Sequence, residues 1–283
     1  MTAVDLGRPP AGIPRGSAAA MCVFAVRRDG APAGLTGTPG HDGGGPVGVL
    51  ALPGGGLQAV VQTVPAADYT QEALRRRLGD PVALESCART HHAVITAAAA
   101  GGPVVPLPLA TLFTGPDRAA AALAAQRPRL LEALDRVAGR AEWAVKVHVE
   151  HRDAGGEPQG AAAGPARDTA GAGAAYLARV RGRERDRQAR REAVLRVAGH
   201  VHEVAAAFAV AAVRRTPHGT EITGRDRPQV LNAAFLVDDG KAAGLVAAVR
   251  ALGGTRAGLD VHIEVSGPWV PYSFTGLGEG TAP

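Results

Sequence analysis

The nearest approach to a catalytic pair is Cys87 with His91, one helical turn apart. Such a neighbour can lower a thiol's pKa and make it a nucleophile. Both residues, however, fall on an apolar helical stripe, where a packed thiol and a hydrogen-bonded core imidazole are expected. The serines are four, Ser17, Ser86, Ser266 and Ser273, and none lies in a nucleophile-elbow pattern. Metal sites need ligands that converge. His91 and His92 point to different sides of a helix, His148 and His151 to opposite faces of a strand end, and His200 and His202 share no helical face. The runs Gly43-Gly44-Gly45 and Gly54-Gly55-Gly56 lead to no Lys-Ser/Thr and no helix start, so they lack the parts of a phosphate loop. No catalytic, cofactor-binding or metal residue is assigned, and no small-molecule substrate is expected.

Charge narrows the partners further. Lys and Arg exceed Asp and Glu by 31 to 26, a net charge of +5, and only Lys146 and Lys241 are lysines. The densest basic run, Arg179 to Arg196, carries interspersed acids and no interleaved aromatics for base stacking, so it reads as a solvated helix rather than a nucleic-acid face. No run reaches the ~20 apolar residues that span a bilayer. Cys22 and Cys87 lie far apart in apolar settings, which suits a reducing cytosol. The expectation is a cytoplasmic protein that binds neither nucleic acid nor membrane.

The elements that must carry these residues follow from periodicity. Cys22 to Arg27 and Val47 to Leu52 read as strands. Leu57 to Val64 sets Gln58 and Gln62 against Ala59 and Val61 at a strand's two-residue period. From Pro81 a helix buries Leu84, Cys87, Ala88, His91, Ile95 and Ala98 on one stripe and stops at Gly101-Gly102. Val104 to Leu109 is extended, and Asp117 to Ala138 is helical with a restart at Pro128. Ala141 to Glu150 is a strand pointing Trp143, Val145, Val147 and Val149 one way. A long helix spans about 174–210, followed by strands at 211–215 and 230–237, a helix through Leu245 to Leu252 and a strand through Val261 to Val265. Val230 to Val237 is apolar on both faces except Asn232, the mark of a central strand.

These elements give an α+β chain of two domains. Each is expected to be a ferredoxin-like α/β sandwich, an antiparallel or mixed sheet covered by helices, with a long connecting helix. The expected boundaries are a disordered Pro/Gly/Ala-rich extension over 1–20, an N-terminal α+β domain over 21–152, a linker over 153–173, a C-terminal domain with an aromatic tail over 174–276, and a disordered end over 277–283. His91, Trp143, Tyr176, Asn232 and Pro268 are expected to be structural.

The tail is the distinctive segment. Gly267-Pro268-Trp269-Val270-Pro271-Tyr272-Ser273-Phe274 puts three of the chain's aromatics into six residues. Pro268 is expected to stop the preceding strand, and both prolines bias their neighbours to extended backbone. A stiff strip of this kind loses little entropy on docking, into its own core or into a partner. Trp269, Pro271, Tyr272 and Phe274 are therefore the candidate interaction or tail-docking residues.

This segment resembles the carboxy-terminal signature of the GvpL/GvpF gas vesicle family, Gly-Pro-Trp-Pro-Pro-Tyr-Ser-Phe. Further matches follow in order along roughly 22–276: Ala33-Gly34-Leu35, Gly56-Leu57-Gln58-Ala59-Val60-Val61, His91 to Ile95, Val105-Pro106-Leu107 and Thr111-Leu112-Phe113. Glu142-Trp143-Ala144-Val145-Lys146-Val147, Gly173-Ala174-Ala175-Tyr176-Leu177 and Val230 to Val237 complete the set. Val270 replaces the signature's middle proline, and Pro108 and Ala110 stand where Arg and Gly are usual in the family. The resemblance implies a non-catalytic accessory protein of gas vesicles built from two α+β domains. Its implied partners are the small hydrophobic shell protein of the GvpA type and other Gvp accessory proteins. An enzyme or sensor on a ferredoxin-like scaffold and nucleic-acid binding through the Arg-rich helix are the alternatives.

Overall fold

The computed structural model describes residues 19–30, 34–151, 169–217, 228–256 and 259–276. The expected extension before residue 19, the end after 276 and most of the expected linker lie outside them. The chain forms two compact units, one of residues 1–142 with 268–283 and one of 143–267. The second unit is thus inserted into the first. The sequence reading puts the break at 152/153 and the tail with the C-terminal half; by contacts, the tail groups with the first unit.

The first unit is built on β1 (Ala19–Arg28), β2 (Val47–Ala51), β3 (Leu57–Pro65), β4 (Val104–Pro106) and β5 (Leu112–Phe113). The sheet order is β2-β3-β1-β4, with β5 also on β1, and all registered pairs are antiparallel. β1 has no Gly or Pro and is rich in residues that pack well on a pleated surface, which suits its central place. Helices α1 (Gln71–Gly79) and α2 (Pro81–Ala99) cover one face, while α3 (Pro116–Ala124) and α4 (Arg127–Val137) cover the other. Phe24, Cys22 and Val60 pack with Val94 and Ile95 of α2. Val23, Val26 and Ala59 pack with Leu123 and Leu130 from α3 and α4. A sheet covered on both faces buries both sides of its central strands. This is why even the polar Gln58 and Gln62 of β3 are buried.

Gln62 has a specific task there. Its Oε1 accepts from His41 N at 2.8 Å, and its Nε2 donates to His41 O at 3.0 Å and Gly45 O at 2.9 Å. One side-chain amide thereby satisfies three backbone groups of the Gly-rich loop, which otherwise lack strand partners. A Cβ at Gly44 would stand 2.3 Å from Gln62 Nε2, so only glycine fits that approach. The β2–β3 hairpin turns through Gly54, Gly55 and Gly56, at φ 87°, 67° and 73°.

Helices α1 and α2 begin on side-chain caps. Thr70 Oγ1 accepts from Ala73 N in α1, and Asp80 Oδ1 accepts from Val82 N in α2, where Pro81 opens the first turn. The α2 stripe differs from expectation in its first two turns. Leu84 and Ala88 are exposed, and burial begins in earnest at His91 and continues through Val94, Ile95 and Ala98. Past α2, buried Arg27 donates from Nη2 to Gly101 O at 3.2 Å, placing a cation at the helix's negative end.

The second unit runs β6 (Arg140–His151), α5 (Thr169–Ala206), β7 (Ala209–Arg214), β8 (Gln229–Asp238), α6 (Ala242–Arg250), β9 (Gly254–Arg256) and β10 (Leu259–Trp269). Its antiparallel sheet has the order β7-β8-β6-β10-β9. Val145, Val147 and Val149 of β6 meet Phe235 of β8, Val201 and Ala205 of α5, and Leu245 and Val249 of α6 in one core. Two expectations change here. The long helix ends at Ala206, because Ala209 to Arg214 pairs with β8, and β10 continues through Pro268 to Trp269 instead of stopping before it. Among the described residues no helix is long and apolar enough to cross a membrane.

Candidate functional site

The tail leaves β10 at Trp269 and ends in a single 3₁₀ turn over Tyr272–Phe274, within the first unit. Its apolar anchors alternate with displayed rings. Val270 joins the core cluster that holds Phe24 and Ile95, and Pro271 and Phe274 are buried. Trp269 and Tyr272 remain 44% and 37% exposed. The prolines and the turn give this alternation its rigidity, since Tyr272 N donates to Val270 O at 2.8 Å and Phe274 N to Pro271 O at 3.3 Å.

Polar groups from three elements fix the turn. Buried Glu142, at the start of β6, accepts from Ser273 N at its Oε2 and from Ser273 Oγ at its Oε1, both at 2.8 Å. Two bonds to one carboxylate are charge-assisted and hold the turn in one orientation. Arg136 of α4 donates from Nη1 to Phe274 O at 3.3 Å. On α2, His92 Nδ1 lies 3.0 Å from the Tyr272 hydroxyl, and its Nε2 faces Thr96 Oγ1 at 3.5 Å. The His92 ring also sits 5.8 Å from that of Trp269 and 5.9 Å from that of Tyr272. Burial, and then the Glu142 charge, push the Tyr272 phenol up to about 12. The phenol therefore stays protonated and able to donate to the His92 ring.

The residues expected to be structural divide. His91 is buried, with Nε2 3.0 Å from Leu107 O and its ring 5.4 Å from Phe24. Burial lowers its pKa to about 4, so it is neutral and committed to a backbone carbonyl. Trp143 packs against the second unit's core. Asn232 is buried and donates from Nδ2 to Thr216 O at 3.3 Å. Pro268 is exposed within β10. Tyr176 is 58% exposed on α5 and packs into none of the cores.

Cys87 lies elsewhere, at a hollow of about 240 Å³ lined with His41, Asp42, Arg77, Ser86 and Thr90. Burial raises the Cys87 thiol and pushes that of Cys22 up to about 12, while burial lowers His41. A protonated thiol beside a neutral imidazole is a poor nucleophile. Among the described residues no group of three or more His, Cys, Asp or Glu is placed to hold a metal ion.

Sequence reasoning found the tail but not its receptor, namely Glu142, Arg136 and His92. No local signal points to them, since Glu142 shares one side of its strand with Lys146, His148 and Glu150.

Comparison with known proteins bears on the whole arrangement. Residues 20–276 match the sequence profile of the family described as gas vesicle synthesis protein GvpL/GvpF. The chain is 35% identical over 225 residues to gas vesicle protein L of Streptomyces sp. (strain CB03234), covering 80% of this chain and 82% of that one. Its fold is similar to the crystal structure of GvpF from Anabaena sp. PCC7120, with a TM-score of 0.60 at 17% identity over 91% of this chain and 96% of the other. GvpF from Microcystis aeruginosa gives a TM-score of 0.57 at 16% identity, covering 90% and 98%. A profile match that takes in the tail, its Glu142 receptor and both sheets shows that this chain belongs to the GvpL/GvpF family of gas vesicle proteins.

Proposed function

We propose that this chain is a gas vesicle accessory or minor structural protein that binds the hydrophobic GvpA-type shell protein and supports vesicle assembly alongside other Gvp accessory proteins. Family membership supports the vesicle role. The observation that carries the binding role is the pair Trp269 and Tyr272, displayed on a strip whose other side chains are anchored. A shell subunit with an uncovered apolar surface self-associates in water. Rigid aromatic rings with one polar end cover such a surface at small entropic cost. The protein does this by holding another polypeptide, with no turnover of substrate and no use of membrane or nucleic acid, and it acts in the cytoplasm in association with gas vesicles. The succession β6-α5-β7-β8-α6-β10, with sheet order β7-β8-β6-β10 and the short β9 at the edge, supports reading the second unit as ferredoxin-like.

The test is co-expression of the full chain with shell protein, followed by affinity capture. Wild type retains the shell protein. Trp269→Ala with Tyr272→Ala weakens retention by about 30-fold, as for a hot spot of about 2 kcal/mol. Circular dichroism checks that Val270 and Phe274 still anchor the strip. Absence of shell protein from the wild-type capture, or full retention by the folded double variant, would overturn the proposal.

A further inference from the structure

Helix α5 is 38 residues long, about 57 Å at the α-helical rise. Only its last part packs. Val194, Ala198, Val201 and Ala205 lie in or against the core of the second unit. From Tyr176 to Glu192 every residue except Gly182 is exposed. An uncovered helix of this length is marginal in water, and a mid-helix glycine weakens it further. The ion pairs it makes within itself, Arg187 with Glu184 and Arg196 with Glu192, lie on the exposed surface and add little.

The uncovered part is not patternless. Among the packed positions, which also include Ala193, Val197 and Val204, the buried Ala198, Val201 and Ala205 and the half-buried Val194 are spaced by four, three and four, as in a coiled-coil seam. Continued towards the helix start, the same three–four alternation falls on Arg191, Arg187, Glu184, Val180 and Leu177. The seam that enters the core therefore runs on outside it and ends in two apolar side chains. Leu177 is 52% exposed. An open hollow of about 590 Å³ lies on this seam, against Arg187, Arg190, Arg191, Val194 and Leu195. The positions flanking the seam, which in coiled coils select the partner by charge, are held by Arg181, Arg183 and Arg190. None of the three forms an ion pair with a described residue. Over the exposed stretch seven arginines stand against three acids.

We infer that the outer half of α5 is a docking seam for the acidic amphipathic helix of another polypeptide, which lays apolar side chains on Leu177 and Val180 and carboxylates beside Arg181, Arg183 and Arg190. Charge complementarity selects this occupant over a second copy of the same helix, whose flanks would repel. Segment 152–168 of this chain has no Leu, Ile, Val or aromatic residue with which to fill the seam. The inference rests on α5 rather than on the aromatic strip, so it stands or falls separately from shell-protein binding.

The experiment titrates the full chain into a labelled three-heptad helical peptide with Leu on its seam and Glu on its flanks, read by fluorescence anisotropy. Saturable binding that weakens with salt is expected. Arg181→Glu, Arg183→Glu and Arg190→Glu together weaken it at least about tenfold, and a peptide with Lys flanks restores binding to that variant. Leu177→Ser with Val180→Ser, which leaves the core untouched, weakens it as well. Failure of the Glu peptide to bind, or binding indifferent to both sets of substitutions in folded variants, overturns the inference. Tighter binding of duplex DNA or phosphatidylserine vesicles than of the peptide reassigns the face to polyanions. Sedimentation as a dimer that the peptide does not displace reassigns it to a second copy.

Discussion

Replacing Glu142 by Ala should release the aromatic strip while leaving both sheets folded. The carboxylate is buried and accepts two bonds of 2.8 Å, from the backbone and the side chain of Ser273. Hydrogen bonds to a charged group contribute about 1.5–3 kcal/mol each, and two on one residue add incompletely. Truncation also leaves the Ser273 amide in a site that water does not easily reach. The expected loss in docking free energy is about 2–4 kcal/mol, which is roughly 30- to 700-fold in the docked-to-open ratio. Amide hydrogen exchange of the peptide covering 268–276, measured in the intact chain, reads that ratio directly. Ser273→Ala removes only the hydroxyl bond and should open the turn by about tenfold at most. Val270 and Phe274 slow exchange as well, so Glu142→Ala exchange should stay below that of a free peptide. Unchanged exchange at Ser273 and Phe274 in Glu142→Ala would refute the claim that the carboxylate holds the strip.

Two further predictions concern the first unit's interior. Ala110 is the one described non-glycine residue at positive φ, 62°. Ala110→Gly relieves about 1 kcal/mol of left-handed strain and loses part of that to unfolded-state entropy, so the Tm should rise by roughly 1–4 °C in a thermal melt. His91 gives a pH signature of known sign. Its folded pKa, near 4, lies below the ordinary 6.5, so the unfolded chain gains a proton that the folded one refuses. Stability is present above pH 6.5 and falls as pH drops towards 4, by about 3 kcal/mol from this group. Urea unfolding of wild type and of His91→Gln across that window should show the wild type with the steeper loss; parallel curves would contradict the assignment.

Local order was largely legible, and long-range use was not. The period of two in Val145, Val147 and Val149 and the helix start at Pro81 act within a few residues, and the structure follows them. The aromatic strip was visible because three large rings in six residues are unusual. The burial of Gln62 was not legible, because the strand period does not show that helices cover both faces of the sheet. Leu84 and Ala88 were misassigned because a helical stripe shows which face is apolar but not how far a neighbour covers it. Glu142 and Ser273 are 131 positions apart, and nothing local to either announces the other. Tyr176 lies outside every described core, and nothing in its local pattern shows that the helix carrying it is uncovered there.

The insertion of one unit into another has a consequence during synthesis. Val270 and Phe274 reach the first unit only after residues 143–267 have been translated, a delay of roughly 6–25 s at ordinary elongation rates. Throughout that interval the nascent chain carries an unsealed apolar socket around Phe24 and Ile95 and a carboxylate with no serine to receive. The displayed rings arrive in the same stroke that closes the socket, so a ribosome that stops early releases a chain able neither to finish its first unit nor to present Trp269.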